Sequence, residues 1–210
     1  MTSLILQFNN ISKYNETAIW QHLSLVNLIF SSNVRFSISN DATIYMPMLR
    51  ELDVRNNSMV LPNQFGKDQF PSLLGLYVSG NNLQKFPDNF DSLNSQLLDL
   101  FMAGCQIHVL PQSYLSKFES LLYFDVRDNN ISVVDSSFQA SFYADNDEGK
   151  KDQSKRPFRA YFHGNPVCKT DVSMRHSFSC EEMCSKYCHY KPNEVDRAVR
   201  GCYSGCNTKE

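Results

Sequence analysis

Cysteines offer the most reactive chemistry in this 210-residue chain, and six of the seven come after residue 167. The six are Cys168, Cys180, Cys184, Cys188, Cys202 and Cys206. Thiols at this density form disulfides or bind zinc as thiolates. The C-x-x-x-C-x-x-x-C spacing lacks the paired geometry typical of zinc sites, although His176 and His189 are near. We therefore expect disulfides and no metal, and the sequence does not choose among the possible pairings.

Catalytic motifs have no comparable support. The sequence contains no phosphate-binding loop, no His-Glu-x-x-His motif and no Gly-x-Ser-x-Gly motif. The five histidines are scattered, and none lies beside a nucleophile-like motif. We therefore expect that this chain is not an enzyme and uses no cofactor. A kinase or other catalytic domain outside these residues stays an open alternative.

Charge and hydropathy limit the partners. A net charge of −2 gives no reason to expect nucleic acid or an anionic membrane as a partner. No apolar run reaches the roughly 18 residues that a membrane span needs. The first residues, Met-Thr-Ser-Leu-Ile-Leu, lack the basic start of a secretory leader. We expect no nucleic-acid partner and no membrane contact within this chain.

A repeated sequence pattern precedes the cysteines and predicts the fold that positions the candidate residues. Residues 73–83 read L-x-x-L-x-V-x-x-N-x-L, and Asn81 is the marker of this pattern. The same pattern recurs with a spacing of 24 residues, and the last copy follows after 36. The seven marker positions are Asn9, Asn33, Asn57, Asn81, Cys105, Asn129 and Asn165. A fixed period in this range predicts a solenoid of stacked units, because one unit is too small to bury its own apolar face.

The pattern resembles that of the leucine-rich repeat family. The resemblance implies an α/β leucine-rich repeat solenoid, with a curved parallel β-sheet on the concave face and loops and short helical turns on the convex face. The array covers residues 1–168, with a charged insertion at 145–156 in the last unit. The resemblance further implies that residues 169–210 form a disulfide-rich C-terminal cap, which we expect to be truncated.

The resemblance also implies roles for individual residues. Each marker side chain should hydrogen-bond backbone groups of adjacent units, and Cys105 should be a buried thiol rather than a disulfide partner. The Leu-Pro and Phe-Pro pairs that follow several strands, each with an aromatic residue close behind, should fill the core on the convex side. The first unit has no polar cap before it, and residues 201–210 are similar to the C-x-x-x-C-N-x-x-x-C core of Notch-type cysteine modules, whose next cysteine would come just after Glu210. We therefore expect a longer protein at both ends.

Strand geometry predicts which residues line the face opposite the core. Side chains alternate along a strand, so positions six, four and two before each marker point away from the core. Parallel strands stack about 4.8 Å apart, so equivalent positions form columns. The column four before the marker reads Ile5, Ile29, Asp53, Tyr77, Phe101, Asp125 and Tyr161. The column two before it reads Gln7, Ser31, Arg55, Ser79, Ala103, Arg127 and His163. The column six before it reads Ser3, Asn27, Glu51, Gly75, Asp99, Tyr123 and Arg159.

These columns predict a partner-binding surface. The fold does not demand aromatic residues there, and Tyr and Arg are enriched at interface hot spots. We expect the aromatic side chains to face solvent. The candidate contact residues are Asp53, Arg55, Tyr77, Phe101, Tyr123, Asp125, Arg127, Arg159, Tyr161 and His163. The alternative is that the aromatics only stack on one another and that neighbouring Asp and Arg only pair.

The resemblance implies a role in extracellular recognition. The expected protein is the ligand-binding ectodomain of a receptor-like protein or receptor-like kinase. It would lie outside the cell or at its surface and bind a protein, peptide or glycan on the concave sheet. Two alternatives stay open: a secreted binding protein or enzyme inhibitor of the same fold, and an intracellular scaffold with reduced or zinc-bound cysteines.

Overall fold

A computed structural model describes residues 1–33, 37–39, 42–61, 65–87, 90, 93, 96–110, 118, 120–134 and 159–170. The predicted insertion at 145–156 and the five cysteines from Cys180 onward lie outside these ranges, so the disulfide-rich cap stays a prediction.

Short parallel strands dominate the described part of the chain. They are β1 (Ser3–Ile5), β2 (Asn27–Ile29), β3 (Glu51–Asp53), β4 (Gly75–Tyr77), β5 (Asp99–Phe101), β6 (Tyr123–Asp125) and β7 (Arg159–Tyr161). They form one sheet in sequence order, and every pair is parallel. The predicted solenoid is confirmed at this level. The predicted register is confirmed as well, since Glu51 pairs with Gly75 and Tyr123 with Arg159 across the longer connection.

Helices contribute little to the described structure. They are α1 (Glu16–Trp20) and α2 (Val167–Thr170). Asn15 caps α1, because its Oδ1 accepts the N–H of Ala18 at 3.1 Å. Neither helix in the described ranges has the length and apolar character of a membrane span.

The core lies on one face of the sheet and under the loops that connect the strands. The middle residue of each strand from β2 to β7 is buried there: Leu28, Leu52, Leu76, Leu100, Phe124 and Ala160. Loop residues close the other side of this core. They include Trp20, Leu61, Phe65, Phe86, Phe90 and Leu110. The described residues of the Leu-Pro and Phe-Pro segments therefore fill the core as predicted.

The marker asparagines connect neighbouring units through buried hydrogen bonds. The Nδ2 of Asn57 donates to the carbonyl oxygens of Val54 in its own unit (2.8 Å) and Phe30 in the preceding unit (3.2 Å). Its Oδ1 accepts the backbone N–H of Asn33 at 2.8 Å. The same side chain bonds both its own and the preceding unit at Asn33, Asn81, Asn129 and Asn165. We call this set of bonds the asparagine ladder. The predicted role of the marker is confirmed.

The residue before each marker adopts a left-handed backbone. The positions with positive φ are Phe8, Ser32, Asn56, Gly80, Gly104, Asp128 and Gly164. Glycine enters this region without strain, whereas a bulky residue there is an outlier. Gly80 is also confined, because a Cβ atom at this position would lie 2.0 Å from Asn56 Oδ1. The chain therefore turns sharply out of every strand at the same place.

Cys105 interrupts the ladder. Its Sγ lies 3.4 Å from the carbonyl oxygen of Val78, and burial raises the pKa of the thiol to about 12. The backbone N–H of Asn81 lies toward this sulfur, whereas the N–H of Gly80 donates to the carbonyl oxygen of Ala103 at 2.8 Å. Sulfur is a weak acceptor, and no oxygen acceptor for the amides of Asn81 and Leu83 is present among the described hydrogen bonds. This rung is therefore the weakest one in the described array.

We expect Cys105→Asn to stabilise the fold. The new carboxamide would supply the oxygen acceptor that the other rungs have, which raises the free energy of unfolding by about 1 kcal/mol. Urea denaturation of the two proteins measures the difference. Cys105→Ala is the control, because it removes the thiol without adding an acceptor. A Cys105→Asn variant no more stable than Cys105→Ala would contradict this role for the ladder.

Candidate functional site

The three predicted columns lie on the sheet face opposite the core, which we call the outer face. Strand pairing aligns Asp53, Tyr77 and Phe101 across β3, β4 and β5. Backbone bonds extend the alignment past the strand ends, since Ser32 N–H donates to the carbonyl oxygen of Arg55 at 2.8 Å. The predicted columns are therefore confirmed as columns of the structure.

Asp53 holds Arg55 in a fixed position on this face. Arg55 donates from Nε to Asp53 Oδ1 at 2.9 Å and from Nη2 to Asp53 Oδ2 at 2.7 Å. The backbone N–H of Arg55 also donates to Oδ1, at 3.1 Å. The guanidinium group lies 5.8 Å from the ring centre of Tyr77 on the next strand, within range of a cation–π contact.

The same arrangement recurs three units later. Arg127 donates from Nε and Nη2 to the two carboxylate oxygens of Asp125, at 2.8 and 2.7 Å. Its guanidinium group lies 6.0 Å from the ring centre of Tyr161 on β7. Bidentate Arg–carboxylate pairs are the more specific form of ion pair. The outer face therefore carries two copies of one Asp–Arg–Tyr arrangement.

A buried aromatic pair extends the first arrangement onto the next strand. The rings of Tyr77 and Phe101 meet edge to face, with centres 5.1 Å apart. The hydroxyl of Tyr77 donates to Asp99 Oδ2 at 3.0 Å. The Tyr77 ring lies back over Gly75, since a Cβ atom there would be 3.0 Å from the hydroxyl oxygen. Gly75 thus provides the space that this ring occupies.

The expectation that the aromatic side chains face solvent is wrong for two of them. Tyr77 is 1% exposed and Phe101 is 2% exposed, although both lie on the outer face. The physical reason is that Tyr77 turns along the sheet over Gly75 and packs between Arg55 and Phe101. The described contacts are those of the alternative interpretation, in which aromatics stack and charges pair.

The other candidate residues divide by exposure. The charged residues Asp53, Asp125 and Arg127 are buried in their ion pairs. Intermediate exposure remains at Arg55, Tyr123, Tyr161 and His163. Arg159 lies in β7, and its side chain is outside the described part of the chain. The four residues of intermediate exposure are accessible from solvent. The three buried charged residues instead hold their neighbours in place.

Two residues that the sequence analysis placed in columns, but not among the candidates, prove important here. Gly75 gives room to Tyr77, and Asp99 accepts its hydroxyl. Both belong to the column six before the marker, which lies next to the column of Tyr77. The sequence thus already showed a small residue and a carboxylate close to this tyrosine. The missing information was the direction in which the tyrosine ring turns.

The described cysteines differ in their chemistry. Cys105 is a free and buried thiol, as predicted. Cys168 is half-buried in α2, and its sulfur lies 3.3 Å from the carbonyl oxygen of Phe162. Within the described ranges, no group of three or more His, Cys, Asp or Glu side chains is placed to hold a metal ion.

Comparison of the chain with protein-family models gives no match, and comparison with curated proteins gives no significant match. The resemblance to the leucine-rich repeat family is therefore carried by the repeat pattern in the sequence alone.

Tyr77→Phe should destabilise the array. The substitution removes one hydrogen bond from the buried carboxylate of Asp99, and the loss of a hydrogen bond to a buried charged group costs about 1–3 kcal/mol. Urea denaturation measures the loss. The control is Tyr45→Phe, because Tyr45 is exposed. Equal unfolding midpoints for the two variants would contradict the structural role of the Tyr77–Asp99 bond.

Proposed function

We propose that this chain is an extracellular protein-recognition module of the leucine-rich repeat class, with no catalytic activity of its own. In this proposal it is the ligand-binding ectodomain of a receptor-like protein or receptor-like kinase. The outer face is the concave face of the family, and a protein, peptide or glycan binds there.

The observation that carries the proposal is the repeated Asp–Arg–Tyr arrangement on the outer face. The solenoid does not require it, because the unit that contains β2 has Ile29 and Ser31 at the positions of Asp53 and Arg55, and Ile29 pairs with Asp53 in the sheet. The fold accepts small or aliphatic residues at these positions. Charged and aromatic residues there therefore favour a role in recognition.

Rigidity is the second support for binding. Two side-chain hydrogen bonds and an aromatic ring hold each guanidinium group in place. A surface whose side chains are already ordered loses less conformational entropy when a partner docks. The half-buried ring of Tyr161, beside Arg127, and the half-buried ring of Tyr123 would provide the contact area.

The proposed compartment follows from cysteine chemistry. Disulfides persist in oxidising environments such as the outside of the cell. The six cysteines after residue 167 support this location, because disulfides among them would close a C-terminal cap. Cys105 is a free thiol because it is buried in the asparagine ladder. Its reduced state is therefore no argument against an oxidising compartment.

We expect alanine substitutions at Tyr123 and Tyr161 to weaken partner binding without unfolding the array. Loss of hot-spot contacts should lower affinity by about tenfold or more. The probe is the labelled 210-residue chain, applied to an array of extracellular domains and to intact cells. Val109→Ala is the matched control, since Val109 is exposed and lies outside the three columns. Binding that is equal for the tyrosine variants and the Val109 variant would exclude the outer face.

We expect a single free thiol in the secreted protein. The chain is expressed through a secretory route, unfolded without reductant and alkylated, and the modified residues are mapped by mass spectrometry. The expected result is one alkylated cysteine, Cys105, because the other six are in disulfides. Alkylation of all seven would contradict the extracellular proposal and favour the intracellular scaffold.

A further inference from the structure

Two asparagines in the middle of the array begin a motif that neither the core nor the outer face uses. The motif is Asn-x-Ser or Asn-x-Thr, and in secreted proteins it directs the attachment of an N-linked glycan. It occurs at residues 56–58 (NNS) and 130–132 (NIS), and two further copies begin at Asn10 and Asn15 in the first unit. The motif is short enough to arise by chance, so its place in the fold decides whether it can be used.

Both central motifs direct their asparagine and serine side chains into solvent. Asn56 and Ser58 are exposed, and the marker Asn57 between them is buried. Asn130 and Ser132 are likewise exposed on either side of a buried core residue. Within the described ranges, the side chains of these two exposed asparagines make no hydrogen bond, in contrast to the marker side chains. Nothing in the described structure therefore competes for their amide groups.

Neighbouring units fix the backbone at both sites. Asn56 N–H donates to the carbonyl oxygen of Ser79 at 2.9 Å, and Asn130 N–H donates to the carbonyl oxygen of Ile107 at 2.8 Å. β3 is flanked by β2 and β4, and β6 is flanked by β5 and β7. The exposure of these asparagines is therefore a property of complete, stacked units and does not depend on the ends of the chain.

The repeat pattern keeps the motif away from the asparagine ladder. A glycan on a marker side chain would break the ladder, and it would require serine or threonine two residues after the marker. From the third unit onward, an apolar side chain of the core occupies that position instead. These residues are Met59, Leu83, Ile107, Ile131 and Val167. In these units a glycan can therefore form only on asparagines outside the ladder.

We infer that Asn56 and Asn130 carry N-linked glycans. This inference rests on the proposed extracellular function, because the enzyme that attaches such glycans acts on chains that enter the secretory route. Two observations carry it: both residues of each motif that the reaction needs are exposed, and the asparagines that hold the fold together lie outside the motif.

Attachment of a glycan is compatible with the packing of Asn56. In the transfer, Nδ2 forms a bond to C1 of an oligosaccharide, and the bond from C1 to a lipid-linked diphosphate breaks. The diphosphate leaves with the bonding electrons, and Nδ2 gives one proton to the transferring enzyme. Oδ1 takes no part in this exchange, and it is the atom of Asn56 that lies nearest to Gly80. Nδ2, at the other corner of the carboxamide, points away from Gly80 and toward solvent.

The two sites border the outer face. Asn56 directly follows Arg55, and Asn130 follows Arg127 by three residues, so each glycan belongs to a unit with an Asp–Arg pair. The sites lie three units apart, which is about 14 Å along the stack. Both come after the carboxyl ends of their strands. The glycans would line that edge of the outer face and leave the edge at which the strands begin open to a partner.

Glycopeptide mapping of the 210-residue chain, expressed through a secretory route, tests the inference. Peptide N-glycosidase converts a glycosylated asparagine to aspartate, and in water enriched in heavy oxygen the new carboxylate carries the label. The expected result is label at positions 56 and 130. Ser58→Ala should remove the label at position 56 alone, and Ser132→Ala the label at position 130 alone. Ser58→Thr and Ser132→Thr are the matched controls, because they keep the motif and should keep the label.

A thiol count on the same sample separates this inference from the proposed function on which it rests. No label at position 56 or 130, in a chain whose one free thiol is Cys105, would overturn the inference and leave the extracellular location standing. Label that persists in the alanine variants would come from deamidation and would also overturn it. No label together with seven free thiols would overturn both the inference and the proposed location.

Discussion

The asparagine ladder is the interaction on which the rest of the structure depends. A carboxamide has two N–H donors and an oxygen acceptor, so one side chain can bond its own unit and the preceding one. The groups that it satisfies are buried turn amides and carbonyls, which cost about 1–3 kcal/mol each when left unpaired. Each bond from Asn57 to Phe30 or Asn33 joins residues in adjacent units. The ladder therefore links the units and fixes their register.

The outer face is a consequence of that register. Once strands are aligned residue for residue, a side chain on one strand meets the equivalent side chain of the next. Arg55 can then lie over Tyr77, and Tyr77 can reach Asp99 on the following strand. These contacts turn a set of separate side chains into an ordered surface. The same packing explains why Tyr77 and Phe101 are not exposed.

The sequence predicted the sheet well and the outer face only in part. The period located the strands, the register and the buried marker side chains, because these properties repeat and one unit confirms another. The burial of Tyr77 depends on a single rotamer and on Gly75, which do not repeat. The left-handed turn before each marker was also missed, since glycine occupies only some of these positions and Phe8 occupies one. The sequence therefore did not predict side-chain directions that differ from one unit to the next.

Amide hydrogen exchange, followed residue by residue with NMR, tests the central role of the ladder most directly. Asn57 and Met59 donate their N–H groups to Asn81 Oδ1 at 3.1 and 3.0 Å, so these amides should exchange slowly. The amides of Asn81 and Leu83 occupy the same places beside Cys105, where sulfur replaces the oxygen acceptor. We expect them to exchange about tenfold faster or more. Equal protection at both rungs would show that the carboxamide bonds do not hold the turns.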